Sequence, residues 1–316
     1  MAEPDRSTRR RLVGDAARSV TVPAVSLIMP TYATPPDWLR QAVASALGQR
    51  GCSLELVVVD DGSPRPAAEV LDEDEGLRIV RTAHQGVSRA RDAGFAASAG
   101  AFVRFVDADD VLPIDSTATL MELARGSDEV IACGATRWCT EDLQPMFDWM
   151  VSRPRDPLRS CLLLRFTPMI PSMLFPRRVV QAAGAWDPGI TVSEDWDFML
   201  RAFEHASVVS TPKVLTWYRQ HPTSASRDDD AAWRGTLRAL ERYFDRHPAE
   251  RDARLGRQVA SMLGIFAAER STQGRPWEDQ RFWRALARDP SSVLTFRERT
   301  LHTRAQALRM RLSRLG

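Results

Sequence analysis

The stretch Val103-Arg104-Phe105-Val106-Asp107-Ala108-Asp109-Asp110 runs an apolar, β-branched segment straight into three carboxylates within four positions. Asp107 and Asp109 are two residues apart, so an extended backbone points both side chains to one side, about 6–7 Å apart along the chain. One divalent cation can bridge such a pair. Mg2+ and Mn2+ are hard ions that take oxygen ligands, and Mg2+ usually draws on only one or two carboxylates beside substrate phosphates. The same residues also fit a solvated acidic turn in which Asp109 or Asp110 caps the next helix.

Other chemically capable residues follow other apolar runs. Tyr32 comes after Val25–Met29 and offers a ring face to a base. Asp61, in the Asp60-Asp61-Gly62-Ser63 segment, can accept a hydrogen bond from a base N–H. Arg91, in Gly86–Gly94, stands near a helix start, where a guanidinium and helix N-terminal amides can meet phosphate oxygens. Taken singly, each has a plain structural alternative: a loop aromatic, an ordinary turn, a surface ion pair.

The elements that position them alternate along the chain. Val25–Met29, Leu54–Val59, Leu77–Val80 and the stretch before Asp107 read as buried strands, and helical patterns span Asp37–Leu47 and Val87–Ala99. Such alternation indicates βαβ units and a parallel sheet covered on both faces. Ligands of open α/β sheets bind outside the carboxyl ends of the strands, which is where these polar residues fall.

The segments VSLIMPTY, LELVVVDDGS, GVSRARDAG, FVDADD and SEDWDFMLR, in that order, resemble the signatures of the family 2 glycosyltransferases with the GT-A fold, over about residues 24–222. The resemblance implies a Rossmann-like, mixed and mainly parallel sheet flanked by helices. It also implies transfer of a sugar from a nucleoside diphosphate sugar to an acceptor nucleophile, with inversion and with Mn2+ or Mg2+ on the diphosphate. Carried onto this chain, Pro30, Tyr32 and Asp61 would hold the base, and Arg91 and Asp107 the ribose and diphosphate region. Thr31 and Ala108 would join these nucleotide-sugar contacts, Asp109 would bind the metal, and His221 in WYRQHPTSASR would approach diphosphate or metal. Asp92 stands where the family often has asparagine and implies an extra negative charge near the phosphates. Arg104 is unusual in a strand suited to burial and either faces a ligand or snorkels to an edge.

Within the same resemblance, Glu194 and Asp195 open a helix after Ser193, with Phe198, Leu200 and Arg201 as its apolar and basic continuation. An acceptor hydroxyl is a poor nucleophile, and a positioned carboxylate that takes its proton typically contributes about 10²–10⁴-fold. Asp195 is the candidate base, with Glu194 as the other acid able to serve. Their structural alternative is a helix start with Ser193 as cap and acids at the positive end of the dipole.

Composition narrows the partners. The 43 basic and 41 acidic residues leave a net charge of +2, too small a field to suggest nucleic acid, so an anionic ligand must be captured locally. The four cysteines share no metal or disulfide spacing and read as reduced, buried thiols. No window approaches the roughly 18 apolar residues of a membrane span, and the N-terminal residues lack a secretory core, which suggests a cytoplasmic protein. Residues 1–22 read as a mobile tail, 23–227 as the catalytic domain and 228–316 as an appended helical extension. Its last stretch, with Leu301, Leu308 and Leu315 opposite Arg304, Arg311 and Arg314, suits an anionic membrane surface, its own domain or a second subunit. The acceptor, whether glycan, lipid-linked, peptide or small molecule, is not encoded in any transferable motif. A catalytically silent scaffold and a nucleotidyltransferase are the rival readings.

Overall fold

The computed structural model describes residues 23–72, 76–152, 154–224, 228–251, 253–271 and 276–289. Its first half is a βαβ assembly. Strand β1 (Val25–Thr31) is buried along its whole length, as expected of a strand covered on both faces. Helix α1 (Pro36–Leu47) begins on a proline, whose missing N–H costs a first turn nothing, and buries Leu39, Ala42, Val43 and Ala46 as one stripe. Strands β2 (Leu54–Asp60) and β3 (Leu77–Arg81) follow. Helix α2 (Val87–Ala97) ends two residues before the expected Ala99 because Ser98 turns extended. Gly94 lets α2 lie on the sheet, since a Cβ there would stand 2.4 Å from Ile28 Cγ2. Strand β4 (Phe102–Phe105) pairs parallel with β1, which pairs parallel with β2, and β2 with β3. Pairing of β1 with β4 ends at Ile28, so Pro30 sits where β1 outruns its neighbour and a missing ladder N–H is tolerated.

The second half is mixed. Helix α3 (Ser116–Ala124) leads to β5 (Val130–Cys139), β6 (Pro145–Trp149), α4 (Pro157–Leu162), β7 (Met173–Pro176) and α5 (Arg177–Ala183). Helix α6 (Glu194–Ala202) and β8 (Ser207–Arg219) complete it. Strand β7 runs antiparallel to both β4 and β5, joining the halves into one sheet of order β3-β2-β1-β4-β7-β5-β6, with β8 parallel to β5. The mainly parallel sheet expected from the sequence is present, with its antiparallel pairs gathered around β7 and β6.

Helices α7 (Asp229–Arg246), α8 (Pro248–Arg251), α9 (Arg254–Ser271) and α10 (Gln280–Arg288) follow. Read as an appended unit, this part in fact closes the main core: Tyr243 and Phe244 of α7 and Met262 and Phe266 of α9 share a buried cluster with Phe105, Phe175 and Phe198. Each such side chain contributes about 1.5–3 kcal/mol by leaving water, so residue 228 marks a change of pattern and not an edge of the core. The expected N-terminal tail and the last arginine-rich stretch lie outside the described residues. Among the described residues no helix is long and apolar enough to cross a membrane. All four thiols are free; Cys133, Cys139 and Cys161 are buried and Cys52 is partly so.

Arg104 corrects both expectations for it: it neither faces a ligand nor snorkels. It is 0% exposed and its guanidinium donates to Pro171 O, Ser116 Oγ, Thr117 Oγ1, Leu215 O and Thr216 Oγ1. A buried charge is tolerable only when its donors are satisfied in this way.

Candidate active site

The Asp60–Ser63 segment separates into two roles. Asp60 is buried and accepts from Ser63 N (2.8 Å), Ala67 N (2.9 Å) and Arg81 Nη1 (2.6 Å). Burial pushes its carboxyl up, but those amides and the arginine outweigh it and hold it below the usual range. Asp61 turns to the next loop and accepts from Gln85 N (3.0 Å), Gly86 N (2.8 Å) and Thr82 Oγ1 (3.1 Å), with His84 Nδ1 3.0 Å away. Tyr32, 48% exposed, stacks on His84 with ring centroids 3.8 Å apart and planes 18° from parallel. Pro30 and Thr31 are buried within β1 and Tyr32 follows it, so of these three residues assigned to a nucleotide the Tyr32 side chain is the exposed one.

After β4 the backbone does not stay extended, which corrects the spacing argument for Asp107 and Asp109. The chain turns, with Asp110 N donating to Asp107 O at 3.3 Å, and the two side chains part. Asp107 Oδ1 accepts from Arg91 Nη2 at 3.2 Å, while Asp109 Oδ2 lies 2.9 Å from His221 Nε2. Ala108 between them is buried. Asp110 caps no helix: it is 2% exposed and its Oδ1 accepts from Arg219 N at 3.0 Å. Arg219 Nε donates to Asp109 O at 2.8 Å and Nη2 to Gln41 Oε1 at 2.9 Å. Its guanidinium lies 4.9 Å from the Trp38 ring, which is itself 4.9 Å from His221. The turn between the acids is therefore set by β8 and α1.

Arg91 is buried beneath the site, not free at a helix mouth. Nη1 donates to Glu194 Oε1 at 2.7 Å, Nη2 reaches Asp107, and the guanidinium lies 4.5 Å from the Trp186 ring. Trp186 in turn stacks on Phe198 at 4.2 Å, so aromatic packing from α6 supports the arginine that links β4 to α6. Asp92 faces away from this group and accepts from Trp186 N at 3.0 Å.

Glu194, Asp195 and Asp197 do occupy the first turn of α6, where the dipole favours them. Ser193 does not cap it. Ser193 is left-handed (φ 70°), and its hydroxyl donates to Ala232 O at 3.2 Å instead. Asp197 is bound to Arg201 at 2.8 Å and Glu194 to Arg91. Asp195 Oδ1 accepts from Trp196 N at 2.8 Å. Burial, with Glu194 adding like charge, pushes its carboxyl up to about 7. Burial pushes Asp107 up to about 6, against Arg91 and with Asp109 and Glu194.

Asp107, Arg91, Glu194 and Asp195 thus form one cluster, Asp109 and His221 a pair beside it, and Tyr32, His84 and Asp61 a third group. Among the described residues no three His, Cys, Asp or Glu side chains are grouped to enclose a cation. His221 Nε2 lies within hydrogen-bond distance of Asp109 Oδ2 and orients that carboxylate, so Asp109 alone offers oxygen to an ion, a partial donor set that ligand phosphates would complete. His84, Trp38, Trp186 and Arg219 were not singled out by sequence. Arg219 had a signal, since it lies two before His221 in one strand-like run, whereas Trp38 and Trp186 had none.

Residues 26–176 match the model of glycosyl transferase family 2. EpsJ of Bacillus subtilis, named an uncharacterized glycosyltransferase, is 27% identical over 217 residues, covering 64% of this chain and 63% of that one. YibD of Escherichia coli, named likewise, is 28% identical over 198 residues, covering 60% and 56%. The chain thus spans less than two thirds of the length of either relative. The crystal structure of S. aureus TarS 1-349 in complex with UDP-GlcNAc shares the fold at TM-score 0.55 and 16% identity, over 85% of this chain and 81% of that one.

Proposed function

We propose, from the match of residues 26–176 to the model of glycosyl transferase family 2, that this protein moves a sugar from a nucleoside diphosphate sugar to an acceptor hydroxyl, with inversion at the anomeric carbon. The observation that carries the reading is the Asp107–Arg91–Glu194 link, which ties the end of β4 to the start of α6 and leaves Asp195 the less encumbered acid. Glu194 is engaged by a charged partner. Asp195 has a single amide donor on Oδ1 and a carboxyl raised to about 7, the range in which a general base is most effective at neutral pH.

In the proposed step Asp195 removes the acceptor's proton as that oxygen bonds to the anomeric carbon and the bond to the diphosphate breaks, the leaving oxygen keeping the electron pair. Asp109, oriented by His221, would hold Mn2+ or Mg2+ with donor phosphate oxygens completing the shell. When bound, that ion neutralises charge on the departing diphosphate. Tyr32 and Asp61 would face the base. The TarS structures holding UDP and UDP-GlcNAc make uridine diphosphate sugars the first donors to try.

The test is incubation with a panel of nucleotide sugars in Mn2+, reading released nucleoside diphosphate, with a parallel titration of donor binding in chelator. Release of nucleoside diphosphate and a loss of donor affinity in chelator are expected. Pyrophosphate release would indicate nucleotidyl transfer instead, and undiminished donor binding in chelator would remove the metal.

A further inference from the structure

The contacts assigned above to a base are already made by a side chain of the protein itself. A base would need a flat ring to stack on, offered by Tyr32, and an acceptor for a ring N–H, offered by Asp61. The imidazole of His84 lies 3.8 Å from the Tyr32 ring, nearly parallel to it, and its Nδ1 stands 3.0 Å from Asp61 Oδ2. The same Nδ1 lies 3.1 Å from Asp61 O, a backbone carbonyl that only accepts, so Nδ1 is the donor in this pair. A small heteroaromatic ring thus stacks on the tyrosine and donates to the aspartate, as a base would.

We propose that His84 fills the base subsite while no nucleotide is bound, and must swing out before a donor can seat, so that His84 sets donor affinity. The inference rests on the function proposed above and concerns the same site. The backbone at residue 84 is held: Gly62, at φ +77°, passes so close that a Cβ there would stand 2.9 Å from His84 N. Asp61 also holds the following amides, Gln85 N and Gly86 N. The ring itself is 54% exposed, so rotation about its own side-chain bonds removes it from Tyr32 without opening the core. A site competent only when the ring is out has its affinity reduced by the fraction of time the ring is in.

Calorimetric titration of the full chain, His84→Ala and His84→Phe with uridine, guanosine and adenosine diphosphates, and with inorganic pyrophosphate, tests this. His84→Ala should bind the preferred nucleoside diphosphate about tenfold more tightly, the gain expected if the ring covers the site about nine-tenths of the time. Pyrophosphate, which has no base, should bind all three proteins equally. His84→Phe keeps the stack but loses the N–H and should fall between. Equal or weaker nucleotide binding by His84→Ala, as expected if the imidazole stacks on the base, would overturn the proposal, and so would an equal gain for pyrophosphate. If the full chain turns over a nucleotide sugar while His84→Ala gains nothing, the failure is confined to His84. If no nucleoside diphosphate binds either protein and none is released from any donor, the functional reading falls with it.

Discussion

The loop that closes on Asp61 and the first turn of α6 each present a carboxylate to the same region, and they use it in opposite ways. Asp61 is almost surrounded by donors: two backbone amides, a hydroxyl and an imidazole converge on its two oxygens. Asp195 receives one amide from its own helix, beside a second carboxylate. Hydrogen bonds to the charged form favour it, whereas burial and like charge disfavour it. A carboxylate saturated with donors organises the backbone around it. One that is half-buried and sparsely bonded keeps a basic lone pair for a substrate proton.

The contrast breaks most visibly at Asp195. Asp195→Asn keeps shape and removes the basic lone pair, so kcat should fall at least about a hundredfold with donor affinity nearly unchanged. Glu194→Gln weakens the link to Arg91 but leaves Asp195, and kcat should fall by less than about tenfold. Near-normal turnover in Asp195→Asn, or a collapse confined to Glu194→Gln, would erase the distinction. Asp61→Ala should do the reverse, removing the acceptor shared by the Gln85 and Gly86 amides and the Thr82 hydroxyl, at a cost of about 1–3 kcal/mol. Denaturant unfolding should show that loss, with kcat at saturating donor within a few-fold of normal.

pH sharpens the comparison further. A base raised to about 7 must be ionised to work, so kcat should climb with pH and level off above about 7. A flat profile from pH 5 to 8 would count against Asp195. A further effect is on stability. With its folded value above the ordinary 3.8, Asp195 binds more protons folded than unfolded, so its contribution declines as pH rises from about 4 to about 7. The Asp195→Asn protein lacks that penalty, and its Tm should exceed the parent's above pH 7 and converge with it near pH 4.

The βαβ half was legible because parallel strands buried on both faces read as unbroken apolar runs, as in Leu54–Val59. The antiparallel half was not legible from periodicity. β7 is four residues long, and β8 carries Pro212 and Lys213 where its register against β5 shifts. At the site, residue types were readable and their geometry was not. The Asp107/Asp109 spacing assumed an extended chain, but Asp110 is drawn inward to Arg219 N, a partner no local pattern contains. The pairing of Arg91 with Asp107 and Glu194 was not legible because its two acids lie on different elements. His84 was not singled out because its partners, Tyr32 and Asp61, follow other strands.

The bond from Arg219 N to Asp110 Oδ1 spans 109 residues of chain, and Arg104 binds across a similar interval to Leu215 O. These spans order events during synthesis. A chain emerging at about 5–20 residues per second presents Asp110 roughly 5–20 s before Arg219 exists to receive it. Until β8 arrives, Arg104 has Ser116, Thr117 and Pro171 but lacks Leu215 O and Thr216 Oγ1, and Asp110 lacks the Arg219 amide. The nascent protein can form the parallel strands early, but its acidic turn takes shape only when the last strand docks. A fragment ending before β8 would carry most of the recognisable motifs and none of the assembled turn.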